Sequence, residues 1–263
     1  MENSQGTLIH STAIVSPNAI IGTGVTIGAF TIIEDNVEIG DGTQIRSNAV
    51  IASGARIGKD CRIYNGAVIG TEPQDLKFKG CNSVAIIGDR TVIREYVTVN
   101  RGTEATLKTC IGEDCFVMAY AHIAHDCHLG SNIIVSNVTQ FAGHCEVEDW
   151  VIFGGVVKVH QFSKIGCHSM IGADVKIAKD IAPYLMIGTN PPKVDGMNVI
   201  GLRRRGFSKE IIQQLDKFYT MIFHSGMNIT DGIARFTSDT SEISKEVQHC
   251  IDFIGKSDRG IYR

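Results

Sequence analysis

Apolar residues recur at every sixth position of this chain: Ile9, Val15, Ile21, Ile27, Ile33 and onward to Ile69, then Ile87, Ile93 and Val99, then Ile111 through Phe141 and Phe153 to Ile177. Period six suits neither an amphipathic helix nor a simple alternating strand. It suits a parallel β-helix in which each hexad supplies one short strand and a turn, and three hexads close one triangular coil. The Ile/Val slot then fills the interior, and residues eighteen apart stack at strand spacing, roughly 4.8 Å. A second slot, four residues further on, is mostly small or β-branched: Ala13, Ala19, Val25, Thr31, Val37. Cys61, Cys115, Cys127 and Cys145 occupy it, so half of the eight cysteines read as core residues. Glycine often follows the aliphatic residue, as in Ile21-Gly22 and Ile57-Gly58, and is expected to ease the corner turn.

The repeat breaks between Ile69 and Ile87 and between Val99 and Ile111. Both steps are multiples of six, so the chain is expected to leave the coil near 70–86 and 100–110 and return in phase. After Ile177 the pattern fades into a stretch with paired prolines, read as a linker. A helical pattern follows, with Ser208 as N-cap, Ile211, Leu215, Phe218 and Ile222 on one face, and Gly226 as a stop. A second helix is expected over about 242–254. The chain thus divides into a β-helical unit, 1–190, and a C-terminal α-helical unit, 191–263, whose apolar face must be buried against something.

A net charge of −3 and a pI near 6.3 argue against broad nucleic-acid binding. No apolar run approaches the roughly 18 residues that span a bilayer. The N-terminus, MENSQGTLIHSTAIV, lacks the pattern of a signal peptide, and there is no CxxC pair, so a reducing, cytoplasmic setting is expected.

The stretch AHIAHDCHLG carries His122, His125 and His128. Eighteen residues beyond His125 stands Gly143, and eighteen beyond that Gln161. AHIAHD, QFAGHC and KVHQFS therefore lie in register, and one corner collects His122, His125, His144, His160 and Gln161. The first loop, with Gln74, Asp75 and Lys77, leaves the stack at the same corner. His128 belongs to the next hexad and is assigned to solvent. A zinc site needs convergent ligands, whereas these four histidines occupy four different positions of the hexad. A general base needs one histidine with a partner that fixes its tautomer. His125, with Asp126 beside it and the Gly143 N–H one coil above, has what acyl transfer requires: a base and an oxyanion donor.

The motifs PQDLKF (73–78), IREYVTVNRGT (93–103), AHIAHDC (121–127), AGHCEVED (142–149), VHQF (159–162) and GLRRRGFS (201–208), with the ending SDRGIYR, resemble the acyl-carrier-protein–UDP-N-acetylglucosamine O-acyltransferases. They follow the same order over nearly the whole chain. The resemblance implies a left-handed coil, against the usual crossover preference. It implies a cytoplasmic homotrimer with active sites between neighbouring prisms. The implied reaction moves an (R)-3-hydroxyacyl group from acyl carrier protein to the 3-hydroxyl of UDP-N-acetylglucosamine, the first step of lipid A biosynthesis. His125 would be the base, Asp126 its orienting partner and Gly143 the oxyanion donor. Gln74, Asp75, Lys77, His122, His144, His160 and Gln161 would position the substrates, and Asn198, Arg204 and Arg205 would hold the uridine-diphosphate end. Ala173 would close the acyl groove, at about twelve to fourteen carbons by coil spacing. No metal is implied, and no cofactor beyond the carrier's phosphopantetheine thioester. Asn100 stands where the family often has histidine, and Ile200 where it often has glutamate. Alternative readings are a related transferase with a 3-amino acceptor, the later N-acyltransferase of the same pathway, and a non-enzymatic β-helix.

Overall fold

The period-six pattern becomes a parallel β-helix in the computed structural model, which describes residues 6–263; the first five residues of the expected N-terminal unit lie outside it. Most hexads give a two-residue strand and a turn, as at Gln140–Phe141 and Glu146–Val147. Three sheets result: A, beginning at Leu8–Ile9; B, at Ile14–Val15; and C, at Ile20–Ile21. The chain passes from A to B to C and back, turning at corners named AB, BC and CA below. Each strand pairs in parallel with strands one coil away, as His122 with Gln140 and Gln140 with Lys158. Both breaks return in phase, since Ile69 pairs with Val99 and Val99 with Ile123. One loop runs from Thr71 in sheet B to Val84 in sheet C, the other from Asn100 in B to Lys108 in C. Both therefore emerge at corner BC.

The prism interior is the Ile/Val slot: Ile51, Ile63, Ile69, Ile93 and Ile123 are fully buried, each contributing roughly 1.5–3 kcal/mol on the usual transfer scale. The four slot cysteines are buried among them. Thr31 and Thr43 take the small slot by donating their hydroxyls to the carbonyls of Arg46 and Gly58, each at 2.8 Å.

The corner turns correct one expectation. Glycine after the aliphatic residue in the regular turns, as at Gly22, Gly28, Gly40 and Gly58, does not have the unusual backbone angles. The left-handed position is the second turn residue, filled by Asn36, Asn48, Tyr120, His144, Trp150, Phe162 and His168 at φ between 55° and 65°. That conformation is costly for bulky side chains. An inter-coil backbone bond at most of these turns offsets it, as from His144 N–H to the His125 carbonyl at 3.0 Å. Glycine after the aliphatic serves close approach: a Cβ on Gly40 would lie 2.6 Å from the Gly58 carbonyl carbon.

Four helices follow: α1 (Val199–Arg204), α2 (Lys209–His224), α3 (Ile229–Asp239) and α4 (Lys245–Gly255). Ser208 caps α2 by accepting from the Ile211 N–H, and Leu215, Phe218 and Ile222 are buried, as the spacing predicts. Gly226 follows the helix at φ 80°. The expected second helix is α4, capped by Ser244. The stretch read as a linker instead folds back as an antiparallel strand, Lys193–Met197, on Leu185–Gly188, and then forms α1. α3 escapes the pattern because Gly232, a poor helix former, sits where α3 crosses α2; a Cβ there would meet Ile222 Cα at 3.2 Å. The helices bury their apolar faces on the last coils, and the Tyr219 hydroxyl donates to the Pro183 carbonyl at 2.6 Å. Among the described residues no helix is long and apolar enough to cross a membrane.

Candidate active site

Corner BC holds His125 and Asp126 in one coil, Gly143 and His144 in the next, and Gln161 and Phe162 in the third. His125 Nδ1 lies 2.8 Å from Asp126 Oδ2. The carboxylate is an acceptor, so Nδ1 carries the proton and Nε2 keeps the lone pair. Asp126 is locked from the second loop: Thr103 donates its N–H to Oδ1 at 3.0 Å and its hydroxyl to Oδ2 at 2.7 Å, and the Thr106 hydroxyl donates to Oδ1. Burial acts to raise this carboxyl, but the bonds from Thr106, Thr103 and His125 outweigh it and bring it down to about 2. Asp126 is thus a fixed anion beside the imidazole.

Gly143 lies flat against that imidazole. A Cβ there would sit 2.6 Å from His125 Cε1 and 2.8 Å from Nε2. Gly143 is buried, and its N–H donates to no acceptor among the described residues. His144 packs edge-on to His125, centroids 5.1 Å apart, and stacks on Phe162 at 4.5 Å. His122 Nδ1 bonds the Thr98 hydroxyl at 2.7 Å; burial, then the neighbouring His125, holds its pKa below the usual histidine value. An open groove of about 410 Å³ runs along sheet B beside these groups, lined by Gln74, His122, His125, Gln140, Gly143, Lys158 and Gln161.

Most of the expected corner is therefore assembled, with exceptions. His160 turns away, its Nδ1 3.2 Å from an Arg259 nitrogen and 3.0 Å from the Gln161 carbonyl. Asp75 accepts from the Lys77 N–H at 3.0 Å, so both shape the first loop rather than touching His125 within this chain. Asn198, Arg204 and Arg205 stand elsewhere. Asn198 caps α1 and donates to the His168 carbonyl at 2.9 Å. Arg204 is exposed, and Arg205 lies over Trp150 at corner CA. Ala173 is exposed at corner AB, just before the strand Lys176–Ile177, three coils along sheet B from His122. His128 is exposed, as expected. Asn100 is buried and anchors the first loop through the Thr71 hydroxyl and Glu72 carbonyl at 3.0 and 2.9 Å; Ile200 points to solvent.

Column counting misled on one point. His125 and His144 occupy different hexad positions, yet ligand atoms of His125, Asp126 and His144 all lie within 4.8 Å of one another, because a turn brings neighbouring columns together. Counting also missed Thr103, Thr106, Gln140 and Lys158. The signal for the last two was there: they share the His122 column at the eighteen-residue spacing.

Comparison with known proteins follows the same outline. Residues 180–262 match the family described as UDP N-acetylglucosamine O-acyltransferase, domain 2, and residues 36–71 match the bacterial transferase hexapeptide repeats. The chain is 44% identical over 260 residues to an acyl-[acyl-carrier-protein]–UDP-N-acetylglucosamine O-acyltransferase of Herminiimonas arsenicoxydans, covering 97% of this chain and 99% of that one. A UDP-N-acetylglucosamine acyltransferase from Bacteroides fragilis superposes with a TM-score of 0.95 at 44% identity, over 97% of this chain and all of the other. One from Francisella novicida superposes with a TM-score of 0.92 at 36% identity, over 97% and 94%.

Proposed function

The chain belongs to the acyl-[acyl-carrier-protein]–UDP-N-acetylglucosamine O-acyltransferase family and is an acyltransferase; from that premise we propose that it transfers a 3-hydroxyacyl group from acyl carrier protein to the 3-hydroxyl of UDP-N-acetylglucosamine, opening lipid A synthesis, with His125 as general base. The observation that carries this is the geometry of three groups: Nδ1 of His125 held by Asp126 at 2.8 Å, the His125 side chain lining the groove, and Gly143, with an N–H uncommitted among the described residues, packed against that ring. His125 Nε2 takes the proton of the acceptor hydroxyl as its oxygen attacks the thioester carbonyl. The Gly143 N–H receives the oxyanion of the tetrahedral intermediate. Collapse breaks the C–S bond, and the imidazolium returns its proton to the departing phosphopantetheine sulfur. Asp126 stabilises the imidazolium throughout without taking a proton.

The reading is metal-free. Asp126 already accepts four hydrogen bonds, filling its acceptor sites, and leaves no lone pair for an ion between His125 and His144. Gln74, Asp75, Lys77, His122, His144 and Gln161 position the substrates, and His160, turned toward Arg259, stands outside this set. Asn198, Arg204 and Arg205, at another corner, act on the nucleotide from a neighbouring prism of a homotrimer. An exposed apolar column at corner AB, with Tyr96, Tyr120, Val138 and Val156, supports such an assembly. The eight free cysteines support a reducing, cytoplasmic compartment. Ala173, about 14 Å along the axis from His122 at three coil spacings, ends the acyl groove with one methyl, so chains of about twelve to fourteen carbons are preferred on the same spacing.

Incubation with hydroxyacyl carrier proteins of mixed chain length, and with UDP-N-acetylglucosamine or its 3-amino analogue, tests the reading. An ester on the first acceptor is expected. An amide formed on the amino analogue alone would transfer the assignment to the related enzymes, and no product with either would remove it.

A further inference from the structure

A second convergence of polar groups lies at corner CA, away from His125. Glu148 follows the strand Glu146–Val147, Cys167 begins the turn one coil on, and His249 reaches in from α4. Ligand atoms of the three lie within 4.8 Å of one another. Glu148 Oε2 accepts from the Cys167 N–H at 2.7 Å and pairs with His249 Nε2 at 2.8 Å. An open cleft of about 370 Å³ adjoins them, walled by His128 and Glu146.

An ion pair accounts for Glu148 and His249, and the Cys167 thiol, which Tyr184 and Glu148 also engage, converges on the same carboxylate. Sulfur, imidazole nitrogen and carboxylate oxygen together are the donor set that zinc-class cations select. The contrast with Asp126 is instructive. Both Asp126 oxygens are saturated by hydrogen bonds, whereas Glu148 Oε1 has no hydrogen-bond partner among the described residues. We propose that Glu148, Cys167 and His249 bind one zinc-class divalent cation that ties α4 to the prism, with water from the cleft in the fourth position. The ion is structural and takes no part in acyl transfer. Binding releases the Cys167 proton and the proton shared by His249 and Glu148. Burial, then the Glu148 charge, pushes the free thiol up to about 12; a cation at that spot reverses the second effect.

Titration of chelator-stripped, full-length protein with Co²⁺ tests this. One equivalent is expected, with a thiolate-to-cobalt charge-transfer band that disappears in Cys167→Ser and in His249→Ala but persists in His144→Ala. Zn²⁺ is expected to raise the melting temperature of the parent and of neither corner-CA variant. Circular dichroism checks that both remain folded. Absence of the band in the parent, its survival in Cys167→Ser, or its loss in His144→Ala with retention in His249→Ala would each overturn the proposal.

Discussion

Corners BC and CA are built from the same turn, yet only one is a candidate for chemistry. Both stack left-handed aromatic or histidine rings in their later coils: His144 on Phe162 at BC, Trp150 on His168 and His168 on Tyr184 at CA. They differ at the first turn residue. At three CA turns its N–H is capped by a carboxylate one coil on: Thr23 by Asp41 at 2.9 Å, Lys59 by Asp89 at 2.7 Å, Ser131 by Asp149 at 2.7 Å. At BC the residue one coil beyond Gly143 is Gln161, and the Gly143 N–H stays open. Unlike those three capped donors, the Gly143 N–H is left open beside a histidine. A buried donor without a partner costs on the order of 1–3 kcal/mol, a cost that an oxyanion arriving in the transition state removes.

The largest expected effect breaks corner BC at its base. His125→Ala should lower the rate by roughly 10²–10⁴ while the prism stays folded, since the backbone ladder that joins the coils does not pass through the ring. Steady-state kinetics with a melting curve is the check; near-parent turnover would remove His125 from the role.

The next effect converts one corner into the other. Gln161→Asp should install the CA-type cap over Gly143 and withdraw the oxyanion donor, costing roughly 10²–10³ in kcat. Gln161→Ala loses the same substrate contact without supplying a cap, so its loss should be smaller and fall mainly on KM. Equal losses in kcat for the two variants would mean that the Gly143 N–H is not the donor.

How much of this contrast could be read in advance follows from the periodicity. Within uninterrupted hexads, neighbours are set by counting, so His125, Gly143 and Gln161 could be stacked from sequence alone, and so could the interior cysteines. The loops carry no period. Thr103 and Thr106, which hold Asp126, could not be placed by counting, although the twelve-residue step from Val99 did mark where their loop leaves. His160 answers to Arg259, almost a hundred residues later, and no local rule reaches that far. α1 hid behind paired prolines because its one strong signal, Asn198 as a cap, sits in a helix of only six residues.

Corner CA has its own pH signature. His168 is held down to about 4, by burial first and the Arg205 guanidinium next, with Asp149 and Glu148 pulling the other way. The unfolded chain protonates near 6.5 while the folded ring stays neutral. Stability is therefore full above about 6.5 and is lost as pH falls toward 4, by at most about 3 kcal/mol. His168→Phe keeps the stack between Trp150 and Tyr184 and removes the titration. Denaturant midpoints at about pH 7 and 4.5, spanning that window, should converge in the variant relative to the parent. An unchanged acid loss would show that the ring is protonated in the fold.

The smallest effect concerns the caps themselves. Asp89 Oδ1 accepts from the Lys59 N–H at 2.7 Å and sits tightly over Gly58, where no Cβ would fit. Asp89→Ala removes that acceptor but leaves the turn open to water, which can replace it. The cost should therefore be about 1 kcal/mol, the ordinary net value of one hydrogen bond, with kcat unchanged because Asp89 lines neither the groove beside His125 nor the Trp150 turn where Arg205 rests. If the cap proved worth nothing, satisfied and open turn donors would be energetically alike. The unpaired Gly143 N–H would then carry no stored cost for an oxyanion to relieve, and its part in catalysis would rest on orientation alone.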